Sequence, residues 1–164
     1  MINSLVNTFQ CYVDNGAGTD FFSAPYVSHI KDNLYLGGVG FNIIIGPPAP
    51  DNIKHVVSLY PACSFDVGPN VTYHHHPMSD DHSGVDTNTI IQLSDLVLER
   101  LDDGPTLVHC QVGVNRSGLV SAYSLMRRYN MKAIDAIALL REQRHRCVLS
   151  NNTFYKWLLD NEVV

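Results

Sequence analysis

The run "PTLVHC" (Pro105 to Cys110) constrains the fold more than any other stretch of this 164-residue chain. It is apolar on both faces, as a strand buried inside a sheet should be; a strand with one wet side alternates. The chain passes at once into "QVGVNRSGLV" (Gln111 to Val120), where glycine, asparagine, arginine and serine precede a renewed apolar period. A buried strand, a tight loop and a helix in direct succession make a unit of a layered α/β domain.

The rest of the chain has the same organisation. "NLYLGG" (Asn33 to Gly38), "HVVSLY" (His55 to Tyr60) and "VTYHHHP" (Val71 to Pro77) are short β-branched or aromatic runs and read as strands. From Asn88, apolar residues at 90, 91, 93, 96, 97 and 98 mark a helix that ends near "LDDGP". Helical patterns follow over Ser117 to Tyr129, Lys132 to Arg144 and about Asn152 to Asn161. "GPPAP" (Gly46 to Pro50) excludes a helix interior or a central strand. "GGVG" (Gly37 to Gly40) has no lysine and no fitting helix, so it reads as a turn and not a nucleotide loop. Residues 1–25 read as an irregular extension, with a short helix around Leu5, Val6 and Phe9 before the loop "DNGAGTD". One domain, residues 26–164, holds the remainder.

Net charge of −5 argues against nucleic acid as a partner bound by overall charge. No window approaches a membrane span, and no basic start with an apolar run opens the chain, so no membrane is expected. Cys11, Cys63, Cys110 and Cys147 form no C-x-x-C pair and read as reduced thiols, which fits a cytoplasmic location with nuclear access left open. The extension could dock on a second copy, so a homodimer also stays open.

Where a loop joins a buried strand to a helix, the first N–H groups lack intrahelical partners and the helix dipole adds positive potential. Such a cradle favours a tetrahedral dianion such as phosphate. Gly113 and Gly118 would let the backbone curl through dihedral angles that other residues avoid. Arg116 can clamp two anion oxygens with its planar fork. The same field should lower the pKa of the Cys110 thiol. A thiolate attacking a phosphate ester needs a proton donor for the leaving alkoxide. "HPMSDDHSG" (His76 to Gly84) supplies Asp80 and Asp81. His109 could hold the loop or tune the thiol, and Ser117 could donate a hydrogen bond to the sulfur as it departs from phosphorus.

His109-Cys110, five residues, then Arg116-Ser117 resembles the signature of cysteine-based protein phosphatases, and "HCQVGVNRSG" looks most like small dual-specificity phosphatases, virus-encoded ones included. "HIKDNLYLGG" (His29 to Gly38) is similar to the segment that opens their catalytic domain, "MSDD" sits at their general-acid position, and "LSNNTFYKWLL" (Leu149 to Leu159) resembles their closing helix, with Asn151 and Phe154 at the family spacing. The resemblance implies a central, mostly parallel sheet of four to five strands flanked by helices. It implies hydrolysis of phosphotyrosine and phosphoserine or phosphothreonine in a phosphorylated protein, through a phosphocysteine on Cys110. Arg116 and the backbone from Gln111 through Val112, Gly113, Val114 and Asn115 would bind the phosphoryl group. Asp80 would be the acid, with Ser117 beside the sulfur and His109, Gly118 and Asp81 in support. Asn115 would fasten the loop from inside. No metal or cofactor is implied.

Competing readings exist for several residues. Asp80 and Asp81 could be solvated loop charges. His74, His75, His76 and His82 suggest zinc, but His75 faces away from His74 and His76 on a strand. Cys63 could trap oxidised Cys110, although a structural thiol is the plainer reading. Arg141, Arg144 and Arg146 read as a solvated helix face, open to an acidic peptide. The same chemistry could serve an RNA 5′-triphosphate or a phosphoinositide, but RNA-active relatives carry His-Gly and Arg-Thr in this loop and lipid-active ones carry lysines. A non-catalytic phospho-binding module would generally have lost the thiol or the acid, and both are present.

Overall fold

The computed structural model describes residues 8–14, 19–39, 52–61 and 67–163. Strands β1 (Thr8–Asp14) and β2 (Thr19–Pro25) form an antiparallel hairpin. Strands β3 (Val27–Lys31), β4 (Leu34–Gly38), β5 (His55–Ser58), β6 (Thr72–His75) and β7 (Thr106–Cys110) form a second sheet, in the order β3-β4-β7-β5-β6. Only the β3–β4 pair is antiparallel; β4, β7, β5 and β6 run parallel to one another. Among the described residues four helices accompany them: α1 (Thr87–Asp103), α2 (Arg116–Tyr129), α3 (Ala133–Gln143) and α4 (Asn152–Asp160).

All five residues of β7 are buried at the centre of this sheet. Val108 and Cys110 join Leu34, Leu36 and Val57 in the main core, where Val97 of α1, Leu125 of α2, Leu140 of α3 and Phe154 of α4 meet them. Leu107 points the other way and packs with Ile53 and Val56 beneath Tyr35 and Tyr73. One strand therefore feeds two apolar clusters, which is why its sequence lacks polar alternation. The three inner strands β4, β7 and β5 end together, at the edge where open α/β sheets place their ligands.

Three expectations need correction. Residues 8–14 and 19–25 are strands and not irregular, and Phe9 lies in β1 rather than in a helix; Leu5 and Val6 fall outside the described residues. "TFQCYVD" and "TDFFSAP" are rich in β-forming residues, and the Asn15-Gly16 pair between them is a hairpin signal in the sequence. The edge strand β3 was not foreseen, though it alternates: Ser28 and Ile30 are buried and His29 is exposed. Gly37 and Gly38 finish β4 instead of making a turn. A Cβ on Gly38 would lie 2.5 Å from the Val112 carbonyl carbon, so the loop after β7 rests directly on this bare backbone. Gly40, Cys63 and "GPPAP" lie outside the described residues. In α2, the serine at 124 is accommodated by donating to the Val120 carbonyl at 2.8 Å, with the Ser94 hydroxyl 3.1 Å from its oxygen, while Tyr123 meets Trp157 edge-on.

Candidate active site

Cys110 is the last residue of β7, and residues 111–115 carry the chain from it into α2. The carbonyls of this loop are all turned outward. Gln111 O accepts from the Val39 N–H at 2.8 Å, and Val114 O accepts from the Leu149 N–H at 3.0 Å. Val112 O and Gly113 O accept from the Arg144 guanidinium at 2.9 and 2.6 Å. In a trans peptide the C=O and the following N–H point in opposite directions. The N–H groups of Val112, Gly113, Val114 and Asn115 therefore face inward. The Gly113 N–H shows this directly, donating to Cys110 Sγ at 3.3 Å.

That curl needs a positive φ, and Gly113 supplies it at 74°. A Cβ there would also meet Gly37 O at 2.4 Å and Arg144 Nη2 at 2.5 Å. Gly118 has a different job from the one its type suggested. It lies inside α2 without a positive φ, and a Cβ there would come 3.1 Å from Val148 Cγ1, so it allows close packing and not an unusual dihedral.

Cys110 is buried, and burial alone would push its thiol up; the Arg116 guanidinium, the Ser117 hydroxyl and the N–H groups of Ser117 and Gly113 outweigh that and hold it below the ordinary thiol value. Ser117 Oγ lies 3.2 Å from the sulfur. Arg116 is also buried, with Nη1 donating to the Met78 carbonyl at 3.2 Å. Its Nε finds no acceptor among the described residues. An anion oxygen is a suitable acceptor for such a guanidinium N–H. His109, adjacent in sequence, is wholly buried with Nδ1 3.2 Å from the Cys110 carbonyl oxygen. Burial, reinforced by His75 and Arg116, lowers its pKa to about 4 against the bond to Cys110 O, so it is neutral near pH 7 and adds no charge beside the thiol.

The two aspartates are held very differently. Asp80 lines an open cleft with Pro61, Pro77, Met78, Ser79 and Arg116. Its Oδ1 accepts from Asn151 Nδ2 at 2.8 Å and its Oδ2 from Asn115 Nδ2 at 3.2 Å. Asp81 is occupied in its own turn, accepting from Ser83 N, Ser83 Oγ and Ser79 Oγ at 3.0, 2.6 and 3.0 Å. Those bonds, the Ser83 hydroxyl foremost, lower its pKa and keep it ionised. Of the two, Asp80 is the one that lines the cleft beside Arg116.

Asn115 is the knot between these parts. Its Oδ1 accepts from the Asn151 N–H at 2.9 Å and from Ser150 Oγ at 3.3 Å while its amide reaches Asp80. It fastens the loop and does not face the cradle. Val112 packs backward too, against Ala24 and Tyr26 on one side and Val114 and Cys147 on the other.

Arg144 departs from the solvated face expected of it. It is buried, and besides the two loop carbonyls it donates to Pro25 O at 3.0 Å and Ser28 Oγ at 3.1 Å. The signal was present: Ala133, Ala136, Ile137 and Leu140 form the buried stripe of α3, and position 144 continues its phase. Arg141 is half-buried, donating to Val148 O and lying over the Tyr155 ring, and Arg146 is the exposed member of the three. His74 and His75 lie on β6, and among the described residues no three metal-ligating side chains converge.

A strand-end thiol ringed by inward amides, with a guanidinium in the floor and a carboxylate at the rim, defines a cysteine-dependent phosphate-ester site. The chain belongs to the dual specificity phosphatase family: residues 34–163 match its catalytic domain. It is 34% identical over 74 residues to protein tyrosine phosphatase PRL-1 of Leishmania major, covering 42% of this chain and 41% of that protein. It is 27% identical over 162 residues to dual specificity protein phosphatase 9 of Homo sapiens, covering 95% of this chain and 42% of that one. The chain thus spans less than half the length of these curated relatives. The fold is shared with the human tyrosine phosphatase-like serine/threonine/tyrosine-interacting protein, at a TM-score of 0.68 and 20% identity over 82% of this chain and 93% of that one.

Proposed function

We propose that this chain is a protein phosphatase that hydrolyses phosphotyrosine and phosphoserine or phosphothreonine through a phosphocysteine, with residues 26–164 as its catalytic domain. The observation that carries the reading is the sulfur of Cys110 beside the Gly113 N–H and the Ser117 hydroxyl, with the Arg116 guanidinium favouring its ionised form. In the first step the thiolate attacks phosphorus, the ester P–O bond breaks, and Asp80 gives its proton to the leaving oxygen. In the second, Asp80 takes a proton from water as that water attacks the phosphocysteine. The S–P bond breaks, phosphate leaves, and the Ser117 hydroxyl donates to the departing sulfur. Arg116 and the inward amides hold the equatorial oxygens as charge redistributes.

The cleft beside Arg116 is open, with Pro61, Pro77 and Met78 in its described lining. An open cleft admits short phosphoserine and phosphothreonine side chains as well as phosphotyrosine. No lysine is among its described lining, which favours a peptide over an RNA triphosphate or a phosphoinositide. Matched phosphotyrosine and phosphothreonine peptides test the proposal under steady-state conditions. Turnover of both is expected; turnover of only one refutes dual specificity, and binding without turnover makes the chain a phospho-binding module.

A further inference from the structure

Outside the cradle, the group with the most unexplained bonding is Arg144. It lies just past the end of α3, yet its guanidinium reaches two elements far apart in the chain. Nε and Nη2 hold the Gly113 and Val112 carbonyls of the phosphate loop, at 2.6 and 2.9 Å. Nη1 is shared among Pro25 O at 3.0 Å, Ser28 Oγ at 3.1 Å and Leu36 O at 3.4 Å, the first at the end of β2 and the others on β3 and β4. The carbonyls of Val112 and Gly113 belong to the two peptides whose N–H groups are those of Gly113 and Val114. We propose that Arg144 is a positioning residue for the proposed phosphatase reaction: held by the N-terminal strands, it grips these two carbonyls from behind and so aims the Gly113 and Val114 N–H groups at the sulfur and the bound phosphoryl group.

Three features make the arrangement more than a buried charge in a convenient place. The peptide between Val112 and Gly113 is bonded at both ends, its carbonyl to Arg144 and its N–H to Cys110 Sγ at 3.3 Å. A cation on the carbonyl side polarises that peptide and strengthens its N–H as a donor. The planar fork can address both loop carbonyls and the Pro25 carbonyl together, and an ammonium cannot reproduce that geometry. Gly113 is the one residue type that leaves the guanidinium room, since a Cβ there would lie 2.5 Å from Nη2. The end of the N-terminal hairpin is part of the same unit, because Ala24 is buried against Val112.

This inference rests on Cys110 being the nucleophile, and the test separates the two claims by reading the sulfur and the anion site without turnover. The rate of Cys110 alkylation by iodoacetamide is followed across pH, and inorganic tungstate binding is measured by calorimetry, in wild type, Arg144→Ala and Arg144→Lys. Each loss of a hydrogen bond to the loop should lower alkylation at about pH 6 and tungstate affinity roughly three- to tenfold. The alkylation profile should move to higher pH. Arg144→Lys keeps the stem and the charge, so it decides the question even where Arg144→Ala does not fold. Folded Arg144→Lys with wild-type alkylation and tungstate binding overturns the inference, because a merely structural arginine would change the melting temperature and leave the thiol where it was. Wild-type Cys110 alkylating like free cysteine would instead overturn the proposed function.

Discussion

Replacing Asn151 by alanine probes a junction that three separate elements share. Its Oδ1 caps α4, accepting from Thr153 N at 3.0 Å and Phe154 N at 3.3 Å. Its Nδ2 donates to Asp80 Oδ1 at 2.8 Å and to the Asp81 carbonyl at 3.1 Å, and the residue is 2% exposed. Loss of the cap costs about 1 kcal/mol. Loss of the two donated bonds costs about 1–2 kcal/mol more, less than a buried charged bond because water reaches Asp80 in the open cleft. The sum of about 2–3 kcal/mol lowers the melting temperature by roughly 5–10 °C in a domain of this size. Asn151→Ser keeps a capping oxygen and loses only the reach to Asp80 and the Asp81 carbonyl, so its melting temperature falls by about half as much. Both variants leave Asp80 with the Asn115 tether alone. General acid catalysis is worth about 10²- to 10⁴-fold, and a poorly held acid forfeits part of it, roughly tenfold on a phosphothreonine peptide. On p-nitrophenyl phosphate, whose leaving group needs no proton, the loss stays within about twofold. Equal losses on both substrates would show that Asn151 acts on the loop as a whole and not on the acid.

Cys110→Ser should abolish turnover while tungstate still binds, since the amides and Arg116 remain; residual turnover near wild type excludes Cys110 as nucleophile. Asp80→Asn should slow the phosphothreonine peptide far more than p-nitrophenyl phosphate, whereas Asp81→Asn, which disturbs the Ser79–Ser83 turn, should affect both alike. If Asp81→Asn shows the selective loss, the acid role moves there. Burial holds His109 at about 4 against an ordinary 6.5, so between those values the unfolded chain binds a proton that the folded one refuses. Stability is then complete above the unfolded value and falls as pH drops toward 4, by roughly 3 kcal/mol at most. Denaturant midpoints across that window should slope downward with acid in wild type and flatten in His109→Gln; an unchanged slope assigns the effect to another group.

The parts of the fold that could be read from the sequence are those governed by local rules. Strand β7 announced itself because both its faces are apolar, and α1 because its apolar residues recur at helical spacing from Ile90 to Leu98. Cys110, Arg116 and Ser117 stand together because a single turn of loop and helix joins them, as their short spacing in the sequence implies. Sequence reasoning was weaker where contacts are long-range. Asn115 and Asn151 both bond Asp80, across 35 and 71 positions, and no periodicity relates such residues. Arg144 was misread because a charge on a helix suggests solvent, while its phase with Ala133, Ile137 and Leu140 points inward. Gly37 and Gly38 were misread for a similar reason: glycines suggest a turn, but here they make room for another backbone.

Two guanidiniums and one imidazole lie within reach of the loop, and their division of labour explains how a buried sulfur can be kept ionised. Burial opposes the thiolate, and a single cation in front of the loop must offset it without filling the place of the substrate. In the proposed reaction Arg116 does so, and its Nε, which has no acceptor among the described residues, would bond an oxygen of the phosphoryl group. His109 would be the obvious second cation, but its burial makes it neutral, so it braces the Cys110 carbonyl and does not compete with Arg116 for the anion. The second positive charge is placed behind the loop instead, on the carbonyl side of two peptides whose N–H groups face the sulfur and the cradle. There its effect reaches the site through fixed dipoles, which need no reorganisation as the phosphoryl group arrives and leaves. A charge in front would bind phosphate product as tightly as the transition state; a charge behind mainly sets the direction of the donors. The expected signature is asymmetric: Arg116→Lys should cost phosphate binding and turnover together at every pH, whereas Arg144→Lys should weaken anion binding and also move the Cys110 ionisation to higher pH, and kcat/KM measured across pH separates them. If both variants lose activity with the same pH profile as wild type, the two arginines do not divide the work in this way.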